Sequence, residues 1–425
     1  MSESNAIVRR ASMIWVLVTL FLDVLGLAFI IPILPGLVGD LLGESSALVA
    51  RFYGLIAAAY ALMQFLFAPL LGALSDRYGR RPVLLASIFG SAVSYLLLAF
   101  APSLAWLVFG RLIAGVAGSS LTTVNAYIAD VSTPETRAQN FGLVGVAFGL
   151  GFIFGPAFGG VLGAIDLRLP FFVAAGLSAL NGLYGLFILP ESLPLGRRSP
   201  FRWRRANPVG SIGALGAYPL VGGLALAFVF VSLAQRGLES TWVLYTSYRF
   251  GWGEATNGLT LGLVGLMAVF VQGFLIRPTV RRLGERRTVV VGLSISTASY
   301  LLFGLATAGW MMLVAIVVGA FGGVAGPAIQ GLVAGSVPPE GQGKVQGALA
   351  SLTSLTSVVA PVVFTAGLFG FFTSPAAPVH LPGAPFLLGS LLLACGLALT
   401  VRLFRRVPPA APAKPPQTPV AKLES

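Results

Sequence analysis

Charge is what this chain most lacks: 10% of its 425 residues are Asp, Glu, Lys or Arg, against 56% that are hydrophobic. Soluble globular domains carry about 25% charged residues, so an ordinary soluble enzyme is excluded. Cysteine is nearly absent. Cys395 alone supports neither a disulfide framework nor a thiolate-rich metal site. The single histidine, His380, stands in a Pro-rich loop and leaves no imidazole cluster for a metal, so no cofactor is expected. A Gly-x-x-x-x-Gly-Lys-Ser/Thr loop is also missing, which removes ATP as the expected energy source.

What the chain has instead is a near-continuous series of apolar runs. Each is close to the roughly 20 residues a helix needs to cross the hydrocarbon core. The runs fall at 13–36, 50–73, 83–101, 103–129, 138–163, 170–189, 214–246, 256–277, 288–307, 309–335, 343–370 and 383–404. They predict an all-α membrane protein of about twelve transmembrane helices. The first run is long and has no small-residue cleavage site, so it reads as a span rather than a signal peptide.

An even number of spans puts both termini on one side. Arg9 and Arg10, the Arg77/Arg80/Arg81 loop, the Arg197 to Arg205 loop, the Arg277 to Arg287 loop and Arg402/Arg405/Arg406 all fall there. The alternate loops hold Arg51, Arg168 and Arg249. The positive-inside rule therefore predicts cytoplasmic termini and a multi-pass protein of the cell inner membrane. A formal net charge of +13 does not indicate nucleic acid, because these arginines sit in short loops without interleaved stacking aromatics. Membrane lipid is the partner they predict, and a monomer is expected.

Shifting the chain by about 205 residues superposes Gly79-Arg80-Arg81 on Gly284-Glu285-Arg286, Pro134-Glu135 on Pro339-Glu340, Gly142 on Gly347 and Pro156 on Pro361. One offset across several loops predicts two pseudo-symmetric six-helix bundles, 1–189 and 213–406, joined by a basic linker at 190–212. The segment 407–425 turns to Pro, Ala and Lys, a composition that cannot bury a core, and is expected to be disordered.

Three motifs carry mechanism. The loop after the second span reads Gly72-Ala-Leu-Ser-Asp76-Arg77-Tyr-Gly79-Arg80-Arg81-Pro82, in which glycines permit a tight turn and Asp76 is placed to cap a neighbouring helix. The fifth span carries Gly142, Gly151, Gly155-Pro156 and Gly159-Gly160, small residues that let helices approach closely beside a proline that bends the axis. In the first span Asp23 lies among Phe21, Leu22, Val24 and Leu25. A carboxylate there is costly in hydrocarbon and marks a cavity or a proton path.

The loop matches the signature of the major facilitator superfamily nearly residue for residue, and the chain resembles that family up to Arg406. The resemblance implies that Gly72, Asp76, Arg77, Gly79 and Arg81, with Asp130, gate the cytoplasmic side. It also implies that the glycine pattern of the fifth span is the antiporter signature, tied to export, and that Arg111 is the family's buried arginine. Leu-Asp23-Val-Leu-Gly, Pro-Ile-Leu-Pro35-Gly, Tyr60-Ala-Leu-Met-Gln64-Phe, Ala126-Tyr-Ile-Ala-Asp130 and Leu349 to Ser357 narrow the resemblance to the tetracycline/proton antiporters. Where those relatives carry acids in the third and ninth spans, this chain has Ser94 and Ser296, and their eighth-span histidine falls near Ala268. The resemblance thus carries fold and coupling but not the groups that would hold a metal–tetracycline cation.

Asp23 and Arg111 fit either proton coupling or a structural ion pair, and Glu239 is the counterpart carboxylate of the second half. Arg236, Glu239, Trp242 and Tyr245 form one helical stripe, either along a cavity or at the outer membrane interface. Gln64, Asn125, Gln272 and Gln330 are polar residues in apolar spans, suited to bind substrate or to join helices. Together these features predict a secondary active transporter, a proton-coupled exporter of hydrophobic drug-like small molecules. A facilitator or importer of a metabolite on the same fold is the alternative. An intramembrane enzyme is disfavoured, because the spans hold no paired acids, nucleophile–histidine set or metal cluster.

Overall fold

The computed structural model describes residues 3–43, 46–133, 136–200 and 219–406. The linker beyond residue 200, the tail from 407 and the Pro134-Glu135 pair lie outside the described residues. Among these residues every regular element is helical. That is what hydrocarbon demands, since each backbone N–H and C=O must be satisfied within its own segment.

Helices α1 (Glu3–Ile30) and α2 (Leu34–Leu42) form the first span and are separated by a turn at Ile31-Pro32-Ile33, where the proline cannot continue a helix. Helix α3 (Ser46–Tyr78) and α4 (Arg80–Ala99) follow. The fourth span is α5 (Leu104–Ala117) and α6 (Leu121–Val131), joined by a 3-10 turn at Gly118–Ser120. Helices α7 (Arg137–Ile165) and α8 (Leu169–Ile188) complete the first half.

The second half runs through α9 (Pro219–Phe250), α10 (Glu254–Phe270), α11 (Ile276–Leu305), α12 (Gly309–Gly322), α13 (Ala325–Gly335), α14 (Pro339–Ala360), α15 (Gly370–Phe372) and α16 (Ala384–Arg406). A π-helical turn, Val271–Leu275, links α10 to α11, and another, Pro361–Phe369, links α14 to α15.

Eleven stretches of the described residues are long and apolar enough to cross a membrane. One of them, Glu254–Leu305, has 52 residues, about twice what one crossing needs. It reverses at Gly284, whose φ of 75° and ψ of 161° are not helical, so it holds two membrane-length pieces. Gly79 turns the corresponding corner of the first half with φ 106° and ψ 161°. The arginines beside these corners make corresponding contacts: Arg81 donates to the Leu186 carbonyl on α8, and Arg286 donates to the Phe404 carbonyl on α16. The outer surface is apolar, with Phe187 85%, Trp310 66% and Leu180 65% exposed, as lipid rather than water would require.

The two halves meet at the face opposite the termini. There a Cβ on Gly54 of α3 would lie 2.6 Å from the Pro361 carbonyl, and one on Gly370 would lie 3.0 Å from Arg51 Cγ. Gly258 of α10 sits against Gly160 of α7. Toward the terminal face the helices part: Gly142, Gly145, Gly273 and Gly343 have nothing among the described residues within 4 Å of an added Cβ. A cavity of about 580 Å³ opens between α7 and α10 on that side.

Candidate functional site

The interior of the molecule holds two adjoining cavities of different chemistry. The first, about 540 Å³, is the one lined by charged side chains, hence called the polar cavity, and lies mostly in the first half. Asp23 reaches it from α1, Tyr60 and Gln64 from α3, Ser91, Ser94 and Tyr95 from α4, and Arg111 from α5. The 3-10 turn between α5 and α6 presents Ser120, whose hydroxyl donates to Asp23 Oδ2 at 3.2 Å. Gly118 in that turn leaves room for Tyr60 and Gln64, since a Cβ would come within 3.0 Å of both. Gln64 Nε2 donates to Tyr60 Oη at 2.8 Å and to the Gly118 carbonyl at 3.4 Å.

Asp23 and Arg111 share this cavity without an ion pair between them. The Arg111 guanidinium lies over the Tyr60 ring at 4.1 Å, and its Nε has no hydrogen-bond partner among the described residues. The ring face offers partial compensation for a buried cation. From the second half, Arg236 and Glu239 complete the wall, paired at 2.7 Å three residues apart on α9. The three charged residues expected for coupling, Asp23, Arg111 and Glu239, therefore line one space.

The second cavity, about 330 Å³, lies within the second half, and no charged side chain among the described residues lines it. Trp242, Gln272, Ser296, Tyr300 and Phe303 are on its wall. A hydrogen-bond chain joins it to the first: Tyr300 Oη donates to Gln235 Oε1 at 3.3 Å, and Gln235 Nε2 donates to Glu239 Oε1 at 3.2 Å. The helical stripe proposed for α9 is thus divided. Arg236 and Glu239 face the polar cavity and Trp242 the apolar one. Tyr245 is buried in packing, its hydroxyl bonded to the Phe303 carbonyl and its ring against Phe250 and Phe386. Gln272 lines the apolar cavity and the opening between α7 and α10. Asn125, half-buried on α6, and Gln330, exposed on α13, line neither central cavity.

At the terminal face, the loop at Gly72 to Pro82 is organised by Arg80, which the sequence reading assigned with its neighbouring arginines to the lipid headgroups and which is instead buried. Arg80 is 8% exposed and donates to Ser75 Oγ, Asp76 Oδ1 and Asp130 Oδ2 at 2.7, 2.6 and 3.1 Å. Capping of α4 falls not to Asp76 but to Glu191, which accepts the backbone N–H groups of Arg80 and Arg81 at 2.8 and 3.3 Å. A carboxylate there meets the partial positive charge of the helix start. Glu191 also contacts Arg198 at 3.9 Å. Arg77 lies over the Tyr78 ring, Gly72 faces Thr122, and Gly79 leaves no space between itself and Glu191 for a side chain.

On α7, Gly151, Gly155 and Gly159 face Val24, Ala28 and Phe29 of α1. Pro156 and Gly160 face Gly258 of α10, so one helix closes on both halves. Gly142 stands apart at the open end.

The Major Facilitator Superfamily model matches residues 16–361 and 241–424. The tetracycline resistance protein, class C, of Escherichia coli is 41% identical over 355 residues, 84% of this chain and 89% of that one. The class G protein of Vibrio anguillarum is 40% identical over 84% of this chain and 90% of its own. Among solved structures, a human organic anion transporter matches with a TM-score of 0.67 at 28% identity, covering 92% of this chain and 99% of its own. A bacterial homologue of the human lysosomal transporter Spinster matches with a TM-score of 0.73 at 17% identity, covering 95% and 98%.

Proposed function

The chain belongs to the major facilitator superfamily, and on that premise we propose that it is a proton-coupled exporter of hydrophobic, drug-like small molecules working by alternating access. It is a multi-pass membrane transporter, not an enzyme. The observation that carries the coupling is Asp23. Its carboxylate lies on the wall of the central cavity with a serine hydroxyl as its hydrogen-bond partner and no arginine neutralising it. Such a group holds a proton or a negative charge according to what else occupies the cavity, which is the differential interaction that coupling requires.

The open end is the terminal face, which the arginine distribution makes cytoplasmic in the cell inner membrane. The protein works as a monomer in contact with anionic lipid. Gly72, Asp76, Arg77, Gly79, Arg81 and Asp130, to which Arg80 and Glu191 are added, form the element that the second half meets when this side closes. Gly151, Gly155, Pro156, Gly159 and Gly160 serve as the pivot on α7, because they touch α1 on one face and α10 on the other.

The test is to reconstitute wild type and Asp23→Asn in vesicles with a drug that the wild type accumulates. Substrate counterflow and uptake driven by an imposed pH gradient are measured side by side. The variant is fixed in a neutral, protonated-like state, so counterflow persists while pH-driven accumulation is lost. Undiminished pH-driven uptake would sink the assignment of Asp23 and send the search to Glu239. Loss of both activities with a lowered melting temperature would make Asp23 a structural residue.

A further inference from the structure

The apolar cavity of the second half has a chemistry that the polar cavity beside it does not share. We propose that it is the binding site for the body of the substrate, and that this substrate is an uncharged, planar aromatic molecule bearing a hydrogen-bond acceptor. The proposal rests on the exporter reading and names its substrate class.

Three observations carry it. First, no charged side chain among the described residues lines the cavity. An ion placed there would lose its hydration without gaining a counter-ion; an anion gains nothing from the wall and a cation gains only the partial compensation of a ring face, so an uncharged ligand is favoured over both. Second, its volume of about 330 Å³ falls in the range of small-molecule pockets, and its wall includes the aromatic side chains of Trp242, Tyr300 and Phe303. The rings of Trp242 and Phe303 are already set edge to face with centroids 5.5 Å apart, so they are held in place before a ligand arrives. Third, Trp242 is 1% exposed and its Nε1–H has no acceptor among the described residues. Buried donors are ordinarily satisfied; Trp242 lines this cavity with its donor covered and unpaired among the described residues, and a ligand acceptor that displaces the packing over Nε1 would complete it. Gln272 and Ser296 supply further polar atoms on the same wall.

The cavity also reports to the coupling site. Tyr300 on its wall bonds Gln235, which bonds Glu239, which is paired with Arg236 in the polar cavity. A ligand that stacks on Tyr300 therefore acts on a chain ending in the space that holds Asp23. Substrate and proton need not compete for one carboxylate.

The experiment titrates purified protein in lipid nanodiscs with acridone, an uncharged three-ring carbonyl compound, and separately with ethidium, a cation of similar breadth. Fluorescence anisotropy follows each. Acridone is expected to bind saturably, and ethidium is expected not to displace it. Trp242→Phe keeps the ring and removes the donor, so it weakens acridone binding about tenfold. Ala320→Phe fills the cavity from another wall and abolishes binding. Melting temperatures identify any variant that fails to fold, in which case the other variant carries the test. Equal acridone affinity in both folded variants, or displacement of acridone by ethidium, overturns the proposal. Binding is measured without a gradient, so a failure of proton coupling leaves this result standing and counts only against the exporter reading.

Discussion

Arg80 is a buried cation held by two carboxylates from different helices, Asp76 on α3 and Asp130 on α6, with Ser75 filling a third donor direction. A guanidinium can do this because its donors fan out in a plane, whereas an ammonium would satisfy one partner at a time. The arrangement fixes the corner between α3 and α4 and presents it as one rigid piece. Asp76 is 48% exposed at its side chain, so its share of folding stability is small, but its charge decides which way the guanidinium points. Asp76→Asn is expected to cut initial transport rates roughly tenfold through a gating bias of about 1.4 kcal/mol, with expression and membrane insertion nearly unchanged. Wild-type transport rates in vesicles carrying matched amounts of the variant would remove the loop from the gate. The tight turn between α3 and α4 was legible in the sequence, but Arg80's part in it was not. Linear order does not tell which of three arginines turns inward, and Glu191 is brought to the helix start from 111 residues away.

Helix α7 is built so that two faces need small residues, for different partners. Gly151, Gly155 and Gly159 repeat every fourth residue and take the backbone of α1 into close contact, while Gly160 does the same for α10. Without a hydrophobic drive between helices in lipid, this proximity supplies much of the packing energy. Gly155→Ala would place a methyl against Ala28 and is expected to destabilise by about 1–3 kcal/mol. Gly142→Ala meets open space and, by helix propensity, is expected to be neutral or stabilising by up to about 1 kcal/mol. Thermal melts of the two variants in the same detergent check the contrast, and equal losses would contradict it. The sequence showed that this helix packs closely because glycines at helical spacing have little other use. It did not show the division between α1 and α10, since a run containing both Gly155-Pro156 and Gly159-Gly160 fits either face. The interruptions at Gly118–Ser120, Val271–Leu275 and Pro361–Phe369 were hidden for a related reason: hydropathy reads through a turn whose residues remain apolar.

At the scale of the molecule, the matching corners at Gly79 and Gly284 were the most legible feature. Gly79 and Gly284 adopt the same corner because only glycine reaches that backbone conformation without strain, so the offset survives in sequence. Which side stands open was not legible, because a transporter's sequence must suit both of its states equally. The structure stands closed at the face opposite the termini, and that closure can be locked. Arg51 Cγ lies 3.0 Å from where a Cβ on Gly370 would be, close to the separation a disulfide sets between one Sγ and the opposite Cβ. The native thiol, Cys395, is exposed and is first replaced by serine. In that background Arg51→Cys with Gly370→Cys should cross-link α3 to α15 under mild oxidant. If opening of this face is an obligatory step, the cross-link stops net transport and counterflow alike, and a reducing agent restores both. Substrate should still bind from the terminal side of the locked protein, because nothing there has closed. Each single variant controls for the loss of Arg51 and of the glycine. Continued transport by fully cross-linked protein would mean that this contact does not part during the cycle, and alternating access through it would have to be abandoned.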